Sequence, residues 1–108
     1  MKKRKVLIVK LGYTETLEKN WSTETVSLGD IFRTTPILHL FKNDYIVWLT
    51  TSEGKQLLED NPYIDRLMIY DLTSTLQLQR EQFDIIINLE RVPGVCALTD
   101  SIPAWNRY

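Results

Sequence analysis

Three short apolar runs, separated by segments of helical character, limit what this chain can fold into. The runs are VLIV at residues 6–9, YIVWLT at 45–50 and DIIINL at 84–89. Continuous apolar runs rich in β-branched residues are typical of strands buried on both faces. Strands of this kind that alternate with helices form a parallel sheet with right-handed crossovers. We therefore predict an α/β fold with a doubly wound parallel sheet.

Local signals predict the other elements. A further strand is expected at residues 66–70, with helices at 29–42, 53–59 and 72–82 and the beginning of a fourth at 95–101. A capping box at residues 50–53 marks the start of the second helix, and Asn61-Pro62 ends it. Leu72, Leu76 and Gln79 are expected on one side of the third helix. The result is a sheet of four strands with no closing element.

The predicted topology places several polar residues together. In the commonest doubly wound order, 3-2-1-4, ligands bind in the crevice between the carboxyl ends of strands 1 and 4. Lys10 and Gly12 follow strand 1, Asn88 and Glu90 lie at the end of strand 4, and Asp30 opens the helix after strand 1. We expect these groups to converge.

Composition narrows the functional classes. The 108 residues carry a formal net charge of −1, which gives no global reason to bind nucleic acid, and the basic residues 2–5 fit a solvated chain start. No stretch approaches the roughly 18 apolar residues that span a bilayer. The single cysteine, Cys96, fits a reducing, cytoplasmic compartment. With one histidine, His39, it cannot build a Cys/His zinc site, so we predict a metal-free protein.

Glycine usage argues against the nucleotide-binding motifs that this fold class would suggest. The four glycines form neither GxGxxG after strand 1 nor the P-loop GxxxxGK[ST]. A nicotinamide-dependent enzyme, a P-loop ATPase and a nucleotide-sugar epimerase are therefore disfavoured.

Asp30 has two compatible interpretations. As a helix cap it would contribute about 1 kcal/mol and complement the positive end of the helix dipole. As an ionised general base it would remove the proton of a hydroxyl group late in the reaction, while the hydroxyl oxygen attacks an electrophilic carbon. Position alone favours capping.

The neighbours of Asp30 carry the same ambiguity. Arg33 lies at i+3, where it could form an ion pair or bind an anion. Thr34 and Thr35 are expected to cap, and Pro36 either kinks the helix or starts a second one. Glu90, taken without a partner, reads as a solvated loop carboxylate. The polar residues 13–27, which include Trp21, form a loop long enough to be functional.

Four segments together resemble glycosyltransferase family 9, the heptosyltransferase group. They are KVLIVKLG, SLGDIFRTTPIL, VWLTTSEGKQLLEDNPYIDRLMIYD and FDIIINLE, in the family's order and spacing from residue 5 to about 101. Members of this family consist of two facing Rossmann-like domains, the GT-B architecture. The resemblance implies that residues 1–108 are part of the N-terminal, acceptor-side domain, with the donor-binding domain absent and residues 13–27 inserted.

The resemblance also implies a reaction and a site. The reaction is inverting transfer of a heptose or related sugar from a nucleotide-sugar donor, such as ADP-heptose, to a lipopolysaccharide core or other glycan. The family's Gly-Asp motif falls on Gly29-Asp30, which makes Asp30 the proposed base and raises that interpretation above capping. The residues expected around it, which bind the acceptor, are Lys10, Ser27, Gly29, Arg33, Thr34 and Glu90. No metal or cofactor is implied, because helix dipoles and cations can stabilise a leaving diphosphate.

The implied partners are a glycan or lipid-linked sugar acceptor and the missing donor domain, with peripheral association to the inner membrane. Without that domain the chain is expected to be inactive alone. The alternative is a non-catalytic Rossmann-like module for binding or assembly, which would cover its exposed sheet edge by dimerising.

Overall fold

The computed structural model describes residues 4–12 and 28–108. Five strands alternate with four helices in this part of the chain. The strands are β1 (Lys5–Val9), β2 (Tyr45–Thr50), β3 (Arg66–Ile69), β4 (Phe83–Asn88) and β5 (Ala104–Arg107). The helices are α1 (Leu28–Thr34), α2 (Ser52–Leu58), α3 (Leu72–Leu78) and α4 (Pro93–Ser101). A 3₁₀ helix, Thr35–Phe41, continues from α1. The predicted inserted loop, residues 13–27, lies outside the described residues.

The sheet confirms the predicted doubly wound topology. Its strand order is β3-β2-β1-β4-β5, and every neighbouring pair is parallel. At the centre, Ile8 of β1 lies opposite Trp48 of β2 and Ile87 of β4. The four side chains of residues 6–9 are fully buried, as the continuous apolar run predicts.

Each face of the sheet carries its own apolar core. Ile31 of α1 and Leu58 of α2 pack on one face with Val6 and Ile8. On the other face, Leu78 of α3 and the residues of α4 pack on a second set of strand side chains. Helices on both faces explain why β1 reads as uninterrupted apolar sequence instead of an alternating pattern.

The prediction of a four-stranded sheet without a closing strand was wrong. β5 pairs in parallel with β4, and Ala104 lies opposite Phe83. Its sequence, AWNR, is not an apolar run, and three of its four residues are exposed, including Trp105 at 77%. An edge strand needs little apolar sequence, so the signal that found the central strands failed here.

The predicted helix over residues 29–42 changes type at Thr35. Pro36, which has no N–H donor, follows directly, and the chain winds as a 3₁₀ helix from there to Phe41. Thr34 is the residue before this second helix but makes no side-chain capping bond, and Thr35 donates its hydroxyl to the Phe32 carbonyl instead. The second helix is capped by Thr51, one residue later than the capping box placed it.

The third helix is shorter than the predicted residues 72–82, and the side that carries Leu72 and Leu76 faces solvent. Leu72 and Leu76 are 74% and 54% exposed, whereas Leu78 is fully buried. α3 ends at Leu78, so it has only two turns, and the core contact is made by its last residue.

Carboxylates join the strands at their amino ends. Asp44, just before β2, accepts two hydrogen bonds from the Arg4 guanidinium at 3.2 and 2.9 Å. Asp65, just before β3, accepts from the Ile46 N–H at 2.8 Å, and Asp84 accepts from the Lys5 N–H at 2.8 Å. These bonds tie each strand start to its neighbour.

Glu81 completes this end of the sheet. It accepts from Lys5 Nζ at 2.7 Å and from the Arg66 guanidinium at 2.6 Å. Burial alone would raise the pKa of Glu81, but the hydrogen bonds from Arg66 and Lys5 outweigh it and hold that pKa below its ordinary value.

Candidate functional site

The site lies at the carboxyl ends of β1 and β4, the neighbouring strands from which the chain runs to opposite sides. Val9 lies opposite Asn88, and its carbonyl accepts from the Leu89 N–H at 2.9 Å, so pairing continues to the last residue of each strand. Beyond this point β1 continues into Lys10–Gly12 and β4 continues into Leu89 and Glu90. Ligands of doubly wound sheets bind in such a crevice.

Glu90 is a buried structural carboxylate at this crevice. It is only 5% exposed, and its Oε1 accepts hydrogen bonds from the Leu11 N–H at 2.6 Å and the Gly12 N–H at 2.8 Å. Its own N–H donates to the Asn88 side chain at 2.9 Å. The interpretation of Glu90 as a solvated loop carboxylate was therefore wrong. The acid holds the turn after β1 against the end of β4.

Lys10 belongs to the same cluster. Its Nζ lies 3.8 Å from Glu90 Oε1 and donates to the Leu89 carbonyl at 3.3 Å, and only 13% of its side chain is exposed. The structure thus brings Lys10 and Glu90 together, as the predicted topology required. The ammonium group partly balances the buried carboxylate.

Two side chains that the sequence did not single out fix the turn after β1 from the other side. The Thr51 hydroxyl donates to the Leu11 carbonyl at 3.0 Å and caps α2 by accepting from the Gly54 N–H at 3.2 Å. Trp48 donates its indole N–H to the Lys10 carbonyl at 3.2 Å. The capping signal at residues 50–53 pointed to this region, but its link to β1 depends on strand pairing.

Asp30 and Arg33 form a second, more exposed pair. Asp30 lies in the first turn of α1, and its Oδ1 is 3.4 Å from the Arg33 guanidinium. The Asp30 side chain is 36% exposed and that of Arg33 is 80% exposed. This geometry agrees with the ion-pair interpretation of Arg33. The role of Asp30 as a base stays a prediction.

The remaining predicted site residues are Gly29, Thr34 and Ser27. Gly29 is exposed in the first turn of α1. Thr34 donates its hydroxyl to the Ile31 carbonyl at 2.7 Å, which leaves the oxygen as an acceptor only. Ser27 lies outside the described residues.

Asn88 faces away from Asp30. Its amide lies 3.5 Å from Cys96 Sγ and 3.4 Å from the Thr99 hydroxyl, both on α4. Since α1 and α4 cover opposite faces of the sheet, Asn88 does not share a face with Asp30. A concavity of about 260 Å³ lies on the α4 side, between Asn88, Thr99 and Arg107.

Within residues 4–12 and 28–108, no group of three or more His, Cys, Asp or Glu side chains could hold a metal ion. No helix among those residues is long and apolar enough to cross a membrane.

A parallel, doubly wound sheet with polar groups at the switch point between β1 and β4 defines a Rossmann-like α/β domain. The fold matches the crystal structure of a glycosyl transferase of family 9 from Veillonella parvula, with a TM-score of 0.72 and 20% sequence identity. The match covers 99% of this chain and 32% of that chain, so this chain spans about a third of the length of that structure. No family model and no curated protein matches the sequence. The fold therefore agrees with the family that the sequence motifs resemble.

Proposed function

We propose that this chain is an acceptor-side part of an inverting glycosyltransferase of the family 9 type. One observation carries the proposal: almost the whole chain superimposes on a family 9 structure. The Gly-Asp motif lies in the first turn of α1, the next element after β1 among the described residues.

Asp30 is the proposed general base. Its carboxylate takes the proton of an acceptor hydroxyl while that oxygen attacks the anomeric carbon of the donor sugar. The bond from that carbon to the diphosphate breaks as the new bond forms, so the configuration inverts and a nucleoside diphosphate leaves. The Asp30 side chain is 36% exposed, which gives a hydroxyl access, and the Arg33 guanidinium lies 3.4 Å from its carboxylate.

Arg33 is the proposed acceptor contact that is most open to ligand, because its side chain is 80% exposed and its guanidinium can donate hydrogen bonds to an anionic group on a sugar. Gly29 and Thr34 line the approach to Asp30 in this proposal, and Ser27 stays an acceptor contact that the sequence resemblance implies. Lys10 and Glu90 act indirectly in this proposal, because their contacts hold the turn through which the chain leaves β1.

The substrates proposed are those that the family resemblance implies. The donor is a nucleotide-activated heptose or related sugar, such as ADP-heptose, and the acceptor is a lipopolysaccharide core or other glycan. A second domain would bind the donor and stabilise the leaving diphosphate without a metal. Cytoplasmic location with peripheral contact to the inner membrane follows from a lipid-linked acceptor.

The direct test titrates this chain with phosphorylated core sugars and with nucleoside diphosphates while backbone amide NMR signals are recorded. We expect weak, saturable shifts near Asp30 and Arg33 with sugars, no tight nucleotide binding and no transfer product. Tight nucleotide binding at these residues would refute the acceptor-side assignment. Transfer activity is then measured on the protein as its own cell produces it.

The alternative, a non-catalytic assembly module, is supported by one observation. β5 is an edge strand and carries Trp105 at 77% exposure, which suits pairing with another chain. Sedimentation distinguishes the two: a dimer that Trp105→Ser dissociates, together with no sugar binding, would favour assembly over transfer.

A further inference from the structure

The turn after β1 has the geometry of an anion-binding site. Gly12 has a φ of +90°, in the left-handed region that glycine adopts without strain. In this conformation the N–H groups of Leu11 and Gly12 point to one acceptor, Glu90 Oε1, at 2.6 and 2.8 Å. Successive N–H groups that converge in this way form a concavity, called a nest, that binds anions. Lys10 Nζ, 3.8 Å from the same oxygen, adds a positive charge.

The location of this nest matters for what the domain can bind. Doubly wound domains that bind nucleotides hold phosphate at the turn after the first strand, where backbone N–H groups approach the ligand. In this chain the same turn already holds a carboxylate, which is 5% exposed and supplied by the end of β4. A phosphate arriving there would have to displace a buried, hydrogen-bonded anion of like charge.

We infer that Glu90 is an internal anion that occupies this nest and excludes phosphate groups from the switch point. Glu90 thereby determines which ligands this domain can bind. The turn after β1 binds no nucleotide phosphate, and a ligand in this crevice must present uncharged or hydroxyl groups to that turn. This inference depends only on the contacts of Leu11, Gly12, Lys10 and Glu90. Its test is therefore independent of whether the protein transfers a sugar.

The test opens the nest and asks whether phosphate enters. In the wild-type chain, inorganic phosphate should leave the Leu11 and Gly12 amide signals in place. In Glu90→Ala the same two signals should shift saturably, and phosphate affinity should rise by at least about tenfold, because a like charge in contact has been removed and two N–H donors have been freed. ADP, added as a second probe, should behave like phosphate.

The matched control is Glu53→Ala. Glu53 is an exposed acid in the first turn of α2, at the same end of the sheet, and it makes no contact with the nest that the structure describes. Its removal changes the net charge equally but should leave the Leu11 and Gly12 signals insensitive to phosphate. An equal response in both variants would show a general charge effect and would overturn the inference.

Two further outcomes would overturn it: saturable phosphate binding at Leu11 and Gly12 in the wild type, or a folded Glu90→Ala chain that binds no phosphate there. If Glu90→Ala does not fold in dilute buffer, its refolding is measured in phosphate and in sodium chloride of equal ionic strength. Phosphate also stabilises folded proteins generally, so the same comparison is made on Gly54→Ala, which is destabilised away from the nest. A larger advantage of phosphate over chloride in Glu90→Ala than in Gly54→Ala supports an anion-filled nest, and an equal advantage in the two variants refutes it.

Discussion

The two ends of the sheet use the same residue types for opposite purposes. At the amino end, Asp44, Asp65 and Asp84 each lie beside the start of a strand and accept hydrogen bonds from the neighbouring strand or its flanking residue. At the carboxyl end, Asp30 lies on a helix, is 36% exposed, and meets Arg33 at 3.4 Å. The three amino-end carboxylates join neighbouring strands and stabilise the fold, whereas Asp30 is the carboxylate that we propose for the reaction.

Glu90 shows that position along a strand does not by itself decide the role. It lies at the carboxyl end, yet it is buried and accepts from two backbone N–H groups, much as Asp65 and Asp84 each accept from one. The hydrogen bonds that join a carboxylate to a neighbouring strand therefore indicate a structural role better than its end of the sheet does. The predictions below test that distinction, from the largest expected effect to the smallest.

Asp30→Asn should affect chemistry and leave stability nearly unchanged. In the protein as its own cell produces it, we expect transfer to slow by about 10²–10⁴-fold, the usual contribution of a general base. Turnover and thermal unfolding are measured on the same samples. Asp60→Asn, which removes an exposed acid after α2, is the control. Near-normal turnover in Asp30→Asn would refute its role as the base.

Gly54→Ala should damage the fold at the carboxyl end. A Cβ at Gly54 would overlap the buried Thr50 hydroxyl and come 2.9 Å from Ile31 Cδ1, so α1, α2 and β2 must shift. We expect a loss of about 1–3 kcal/mol in the free energy of unfolding, measured by urea denaturation.

The control for this change is Gly94→Ala. Gly94 lies near the start of α4, and a Cβ there would meet nothing within 4 Å. Alanine is the better helix former, so we expect a stability gain of about 0.4–1 kcal/mol. Equal effects at the two positions would argue against the close packing at Gly54.

Glu81→Gln should weaken the amino end and change the response to acid. Losing two charge-assisted bonds should cost about 1–3 kcal/mol at neutral pH. The folded-state pKa of Glu81 lies below the ordinary value of 4.5, so its stabilising contribution is complete above 4.5 and is lost as pH falls through the lower, folded-state pKa. Urea denaturation between pH 7 and pH 3 should show a flatter decline for Glu81→Gln than for the wild type, and parallel curves would contradict this.

Arg33→Ala should have the smallest effect on stability. An exposed i,i+3 ion pair contributes at most about 0.5 kcal/mol, so thermal unfolding should hardly change. If Arg33 contacts the acceptor, the KM for acceptor should rise while unfolding stays the same. A large loss of stability would place Arg33 among the structural charges and remove it from the proposed site.

Sequence reasoning succeeded where one physical signal dominates. The buried strands β1, β2 and β4 were found because helices on both faces demand uninterrupted apolar sequence. It failed where a tertiary contact replaces that signal. β5 is held by pairing with β4, and α3 reaches the core through its last residue, so neither shows the expected apolar pattern.

In the candidate site, too, the sequence predicted some features and missed others. The family motif located Asp30, and topology alone predicted that Lys10 and Glu90 would meet, as they do at 3.8 Å. That Glu90 fills a backbone nest could not be read from the chain, because its donors lie 78 and 79 positions away.

By itself, the sequence determined the alternation of buried strands and helices, and with it the parallel sheet and the place of its crevice, because burial on two faces leaves a strong local pattern. Only the tertiary structure decided which charges are structural. That depends on which backbone donors strand pairing brings to each carboxylate, and those donors come from parts of the chain that are distant in sequence.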